Sequence, residues 1–254
     1  MHKIEFSEAE KDIYLDDIET IVSMSSNSSS YTNKIILSSL FSALISLPSI
    51  NYYWGISLVS LSILFFLLVK YLTLNNFQKV VNYNIYLYMI LQTGMIFFLT
   101  VFLYIKKDSY HIAPVIYIII SYMISLFIVY FKTSNLLRAK YKLEHGKWSK
   151  KSEFFATKTS KLLQIFVILI VLGAIIYRIN RWWLLNVDIT FESVSIAEYI
   201  LWGGGLILLL VGLTLLPTLL IKPESIVKYK LIEKYAEEFR ERYDYSKKEW
   251  YGDN

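Results

Sequence analysis

The chain has no cysteine, which excludes disulfides, thiolate metal sites and a thiol nucleophile. Histidine is nearly as scarce. His2, His111 and His145 are the three, and no two stand at the spacing of a zinc motif such as His-Glu-x-x-His. Gly-rich phosphate loops and the Gly-x-Ser-x-Gly turn of a serine hydrolase are missing as well. Charge is absent over one long stretch, with none from Ile35 through Val69. Residues 1–33 are polar and acidic, so a cleavable signal peptide is not expected.

What remains is apolar. Hydrophobic residues make up 55% of the chain and charged ones 19%, with a mean hydropathy of +0.44, far from a soluble domain of this length. The 21 Tyr and 6 Trp suit side chains at membrane–water boundaries. The abundance of Ile, Asn, Lys and Tyr is the composition of an AT-rich bacterial genome. A spanning helix needs roughly 20 apolar residues, and runs near 85–105, 112–131, 162–180 and 200–221 meet that length. The uncharged block at 35–69 would be about 52 Å long as one helix at 1.5 Å per residue, too long for one span. "SINYYWG" at 49–55 supplies a turn between Pro48 and Gly55, giving legs near 35–53 and 56–72. The expected fold is therefore all-α and polytopic: a six-helix membrane domain over 35–221, an acidic amphipathic segment at 1–34 and an amphipathic helical tail at 222–254.

Positive charge orients this layout. With six spans, 22 of the 26 Lys and Arg residues fall on one side, leaving Lys106, Lys107, Arg178 and Arg181 on the other. That side is cytoplasmic and holds both termini. Nine of the 26 lie between Lys132 and Lys161, among them Arg138, Lys140, Lys142, Lys147, Lys150 and Lys151. A basic connector beside a bilayer, without a folded reader or an aromatic-lined groove, fits anionic inner-leaflet lipid and not nucleic acid.

The two ends carry their own patterns. Ser7 and Glu10 have capping-box spacing, and Ile13, Tyr14, Ile18, Ile21 and Val22 recur at helical spacing. Lys222-Pro223 opens a second helix with a stripe of Ile226, Tyr229, Ile232, Tyr235, Phe239 and Tyr243. Both stripes must be buried, against each other or against the inner ends of the spans.

Motifs for catalysis are thin, and no catalytic, cofactor or metal residue is assigned. Asp16-Asp17-Ile18-Glu19 has Thr20 where a diphosphate-binding carboxylate set needs a third Asp. Glu237-Glu238-Phe239-Arg240-Glu241-Arg242 resembles the first motif of the membrane-embedded CAAX-type proteases. In that family the motif lies in a membrane helix and His motifs follow it. Here no His follows Arg242, and i,i+4 ion pairs on a solvated face are the expectation. Mid-span ionisable groups, which mark coupled carriers, are also lacking. Gln92-Thr93-Gly94, Ser121 and Ser125 are read as sources of interhelical hydrogen bonds. Gly203, Gly204, Gly205 and Pro217 in the last span are read as close-packing or hinge residues.

One outer segment, 179–199, has length and chemistry. Trp182 and Trp183 suit the outer interface, and Asp188, Glu192 and Glu198 form an acidic patch for a cationic peptide or the outer part of another membrane protein. The expectation is a non-enzymatic protein that acts by interaction, an immunity or accessory protein for a secreted toxin, bacteriocin or secretion system. The alternative is carried by layout. An amphipathic helix before six spans, with both ends inside, resembles the membrane subunit of ABC-2-type exporters, which implies a separate ATPase. The acidic first helix, the short first outer turn and the 30-residue inner connector depart from that pattern.

The connector is expected to act by charge. Changing Lys140, Lys142, Lys150 and Lys151 to Arg should leave orientation and function intact, while Gln at the same positions should weaken anionic-lipid binding and insertion fidelity. Vesicle binding and topology mapping measure both. An Arg version that fails like the Gln version would reveal a specific recognition site instead.

Overall fold

A computed structural model describes residues 4–47, 54–100, 112–141, 165 and 210–252, with backbone alone at 112, 113, 138, 139, 219 and 220. The regular elements among the described residues are all helices. They are α1 (Phe6–Ala9), α2 (Leu15–Ser26), α3 (Ser28–Ser46), α4 (Trp54–Leu72), α5 (Asn76–Leu99), α6 (Ile112–Lys140), α7 (Leu216–Leu220), α8 (Pro223–Lys234), α9 (Ala236–Arg242) and α10 (Lys247–Tyr251). Residues 210–214 are also helical.

By length and composition, Trp54–Leu72 and Pro114–Leu137 are each able to cross a membrane. Leu210–Thr218 and Pro223–Lys234, meeting at 50°, make a third if the bent pair counts as one span. Among the described residues the fold is thus all-helical with two to three candidate spans, where six were expected over the whole chain; the expected span at 162–180, but for residue 165, and residues 200–209 of the last one lie outside the described residues. The two shortfalls that the described residues explain lie in α3 and α5. The first third of α3 is polar, running Ser28-Ser29-Ser30-Tyr31-Thr32-Asn33-Lys34. α5 carries Asn82, Asn84, Gln92 and Thr93.

The position of α5 explains how it tolerates those residues. It touches α2, α3, α4, α6, α7, α8 and α10, so its polar groups meet protein on several sides. Asn82, Gln92 and Thr93 are all buried. α3 crosses it where both backbones come close. A Cβ at Gly94 would stand 2.8 Å from Cβ and Oγ of Ser42 and 3.0 Å from its Cα, too near for any side chain larger than hydrogen.

The outward faces run the other way. Leu37, Leu40, Phe41 and Leu44 of α3, Leu58, Val59, Phe65 and Phe66 of α4, and Ile116, Ile119, Met123 and Phe127 of α6 are exposed, while Ser39, Ser42, Ser57, Ser60, Ser121 and Ser125 are buried. Small polar residues inside and large apolar ones outside reverse the usual order of a water-soluble bundle.

Several boundaries move from the sequence expectation. α3 ends at Ser46 and α4 starts at Trp54, so two packed legs flank the expected turn; its residues 49–53 lie outside the described residues, while Trp54 and Gly55, expected in the turn, already belong to α4. α5 starts nine residues before the expected 85, because Asn75 caps it: its side chain accepts from the Gln78 N–H at 2.8 Å, and Gln78 accepts from the Asn75 N–H at 3.4 Å. Only Thr73–Asn75 then separates α4 from α5. α6 continues to Lys140, so the basic connector begins as helix. Ser7 lies inside α1, whose N-cap is Glu5. The reciprocal N-terminal bond forms instead where the Tyr14 N–H donates to Asp17 at 3.2 Å.

The tail is three helices, not one. Tyr235, with φ −112° and ψ 34°, separates α8 from α9, and Asp244 takes a positive φ of 56° before α10. Ser246 and Glu249 close a capping box on α10. Of the expected stripe, Ile232 and Phe239 are buried. Val227, Leu231 and Trp250 replace the remainder at the centre. Tyr14, expected on the buried face of the first segment, is 68% exposed. The two ends do bury their apolar faces against each other. Ile4, Ile13, Ile18 and Ile21 join Val227, Ile232, Phe239 and Trp250 in one core built on Phe77, Val80 and Val81 of α5.

The Gly94 crossing generates a stability prediction. Gly94→Ala should destabilise the protein by about 1–3 kcal/mol by overpacking, and Gly94→Leu by more. Adding Ser42→Gly to Gly94→Ala should recover part of the loss. Thermal unfolding in detergent micelles measures it, and an unchanged midpoint in Gly94→Leu would refute the close crossing.

Candidate functional site

Ion pairs and an apolar core join the two ends of the chain. The N-terminal segment is rich in acids, the tail at 222–254 carries eight basic and eight acidic residues, and ion pairs cross between the two. Arg242 Nε lies 2.8 Å from Glu10, Lys228 pairs with Asp17, and Lys140 at the end of α6 reaches Asp12 at 3.5 Å. The Ile4 carbonyl accepts from Lys234 Nζ at 3.0 Å and from the Tyr235 hydroxyl. Exposed pairs of this kind contribute about 0–1 kcal/mol each. A fully buried Ile or Phe contributes roughly 1.5–3 kcal/mol, so the core decides stability and the pairs decide register.

A polar clamp ties this cap to α5. Asn82 Nδ2 donates to Glu233 at 3.0 Å and to the Gln78 carbonyl at 3.0 Å, while Lys230 donates to Asn82 Oδ1 at 2.8 Å and to Glu233 at 2.6 Å. One amide thus joins both members of an ion pair and closes the circuit with no charge left over.

Among the described residues, two cavities border the cap. The larger, about 620 Å³, lies between the N-terminal segment, the end of α6 and the start of α8, with Asp12, Lys140, Tyr141, Glu224 and Lys228 among its lining. Its cations already face acids, Lys140 with Asp12 and Lys228 with Asp17. Burial pushes the Tyr141 phenol well above its ordinary value, and Asp12 beside it adds to the shift. The cleft is polar and balanced in charge. The smaller, about 340 Å³, opens between α5 and the α7–α8 junction and includes Asn84, Tyr88, Pro217, Lys222 and Ser225.

Deeper in the bundle a polar seam joins α5, α6 and the helical segment at 210–218. Gln92 Nε2 donates to the Thr214 carbonyl at 2.8 Å. The Tyr122 hydroxyl donates to Thr93 at 2.8 Å, and Thr93 to the Met89 carbonyl at 2.7 Å. Gln92 and Thr93 therefore make the interhelical bonds that the sequence suggested. Ser125 bonds its own helix at the Tyr122 carbonyl.

The residues singled out from sequence distribute unevenly. Trp182, Trp183, Asp188, Glu192, Glu198, Lys142, Lys147, Lys150, Lys151, Gly203, Gly204 and Gly205 lie outside the described residues. Arg138 is on α6. Lys140 faces Asp12. Pro217 sits in the first turn of α7, and the helix breaks just before it at Leu215. The charged run on α9 departs from the i,i+4 expectation, since Arg240 meets Glu237 at i,i+3 and Glu241 next to it, while Arg242 leaves for Glu10. Asp17 belongs to the helix start and to Lys228. Among the described residues no group of His, Asp or Glu is arranged to hold a metal. Sequence reasoning missed Asn82 and Tyr141.

Comparison with protein-family models, with curated proteins and with solved structures finds no match for this chain.

The cap carries a pH prediction. Burial, followed by the 2.6 Å hydrogen bond to Glu237, raises the Tyr251 phenol from 10.0 to about 12. Burial also raises Tyr229 and Tyr245. A raised folded-state value stabilises below the unfolded value and is lost as pH climbs through the folded one. The thermal midpoint should therefore fall steeply between pH 10 and pH 12. Tyr251→Phe should make that fall shallower, and a slope unchanged in the variant would show that Tyr251 does not drive it.

Proposed function

We propose that this chain is a non-enzymatic, multi-pass protein of the bacterial cytoplasmic membrane that acts by interaction, as an immunity or accessory protein for a secreted toxin, bacteriocin or secretion system. The observation that carries the membrane part is the reversed dressing of α3, α4 and α6, with serines inward and Leu, Ile and Phe outward. α3 shares this pattern although its polar first third lowers its mean hydropathy, which supports counting it among the spans.

The full reading is six spans with both termini inside. The core of the cap supports it, because it gathers both end segments, the start of α5 and, at its margin, Leu136, Leu137 and Tyr141 of α6. These are the parts that the charge distribution assigns to one side of a bilayer. The interaction part rests on two arguments. Gln92 and Thr93 of the seam are engaged in helix–helix bonds, and the acidic patch at Asp188, Glu192 and Glu198 offers chemistry for a cationic partner.

A paired assay tests the proposal. Asp188→Asn, Glu192→Gln and Glu198→Gln together should abolish protection or partner binding while expression and insertion persist. Full protection by this triple variant would remove the outer segment as the determinant, and co-purification of a nucleotide-binding subunit would favour the exporter reading instead. Single cysteines at positions 53 and 147 should label from outside and from inside respectively. The reverse pattern would overturn the six-span topology.

A further inference from the structure

The uncharged block between Lys34 and Lys70 is short for two membrane crossings. It holds 35 residues, and two spanning helices need roughly 40 before any turn is counted. Its residues are divided unevenly. α3 takes 35–46 and α4 takes 54–69, which are 12 and 16 residues. At 1.5 Å per residue these legs are about 18 and 24 Å tall, and tilt would lower both figures. A hydrocarbon core is about 30 Å thick.

Side chains mark both ends of this height. At the inner end Ile35, Leu67 and Tyr71 share one buried cluster, so the neighbouring Lys34 and Lys70, both exposed, stand at one level. Lys34 Nζ lies 5.5 Å from the centre of the Tyr31 ring, and Lys70 Nζ lies 6.0 Å from that of Phe66. Tyr31 meets Tyr83 of α5 at 4.9 Å, and Tyr71 meets Tyr86 at 5.2 Å. Lysines beside half-buried tyrosines are the girdle expected at headgroup level. At the outer end Trp54, 65% exposed, opens α4. Between the two levels α4 turns Leu58, Val59, Phe65 and Phe66 outward, with exposed Ser62 midway. α6 is built to another height, since its uncharged run at 112–131 has 20 residues, about 30 Å.

We infer that the α3–α4 hairpin fits a bilayer thinned to about 24 Å on its side of the protein, with Lys34 and Lys70 at the inner headgroups and Trp54 at the outer ones. The inference rests on the reading above that these helices lie in the membrane and are entered from the cytoplasmic side. Closing the gap by sinking the inner end would carry two ammonium groups toward hydrocarbon, which is costly. Thinning the lipid beside a short hairpin costs a modest amount per ångström of mismatch, and a longer helix such as α6 meets the thinner bilayer by tilting. The partner of this surface is therefore lipid with chains shorter than those of an ordinary membrane.

Two readouts in one lipid series test it. The full chain is reconstituted in monounsaturated phosphatidylcholines with chains from fourteen to twenty-two carbons. Its thermal midpoint should peak at fourteen or sixteen carbons and fall beyond eighteen, where the hydrocarbon approaches the ordinary ~30 Å. The chain has no cysteine of its own, so single nitroxide labels can be placed on it directly. A label on Trp54→Cys, a surface change with little reason to unfold the protein, should be reached by a water-soluble nickel complex in the shortest chains and by oxygen alone in the longest. A label on Ser62→Cys should be reached by oxygen alone in every lipid. Lys34→Leu combined with Lys70→Leu lengthens the apolar block at its inner end and should move the midpoint's peak toward longer chains. A peak at eighteen carbons or more, nickel access at position 54 that stays constant through the series, or a peak unmoved by the two leucines would each overturn the short hairpin. Nickel access at position 62 would instead overturn the membrane reading on which the inference rests.

Discussion

The structure depends on enclosing α5. A helix that carries Asn82, Gln92 and Thr93 cannot face hydrocarbon, where an unpaired amide costs several kcal/mol, and its other large side chains still need apolar neighbours. Packing against seven other helices satisfies both demands. The enclosure is tight at one place, where Gly94 lets α3 approach to contact distance at Ser42. The three polar groups are then answered by different neighbours, Asn82 by α8, Gln92 by the segment at 210–218 and Thr93 by Tyr122 of α6. The amides thus do more than survive burial. Each fixes which element lies on which side of α5, because a rotated neighbour would leave a buried donor open.

The cap follows from the same helix. Phe77, Val80 and Val81 extend α5 beyond its apolar run and give the ends of the chain a common surface. Neither end has enough apolar residues to form a core alone. α1 and α2 offer Ala9, Ile18 and Ile21, with Ile4 and Ile13 flanking α1, and α8 to α10 offer Val227, Leu231, Ile232, Phe239 and Trp250. Phe77 meets the Trp250 ring at 5.4 Å and Phe6 meets Phe239 at 4.9 Å, so the contacts that close the cap join residues far apart in sequence. The ion pairs between the two ends add little to stability once this core is made.

Much of this was legible in the sequence, and the rest failed for identifiable reasons. The helical class, the two legs of the first apolar block and the burial of Ile18, Ile21, Ile232 and Phe239 follow from periodicity and span length. The interhelical role of Gln92 and Thr93 follows from the scarcity of polar groups around them. Tyr14 was misread because Ile13 precedes α2 and so does not share its periodicity. The tail was read as one helix because nothing in "EKYAEEF" breaks a helix by propensity. The break at Tyr235 comes from tertiary contacts, with the phenol bonded to Ile4 and the ring 5.6 Å from Phe6. Asn82 was invisible for the same reason, since its partners lie about 150 positions away.

Two local breaks connect the seam to the cap, the first of them at Pro217. It cannot donate a backbone hydrogen bond and crowds the preceding turn, and the chain responds with a turn at Leu215, where Leu215 N–H bonds Gly212 and Thr218 N–H bonds Leu215. A second break follows at Ile221 and Lys222, where the backbone is extended; there Leu210–Thr218 and Pro223–Lys234 meet at 50°, so that the segment that bonds Gln92 through Thr214 continues into the helix that bonds Asn82 through Lys230 and Glu233. Gln92 and Asn82 lie ten residues apart on α5, about 15 Å at 1.5 Å per residue. A straight continuation would pass α5 after one contact. The bent one returns to it, and the amphipathic cavity lies in the angle between the two contacts, bounded by Tyr88 on α5 and by Pro217 and Lys222 on the returning chain.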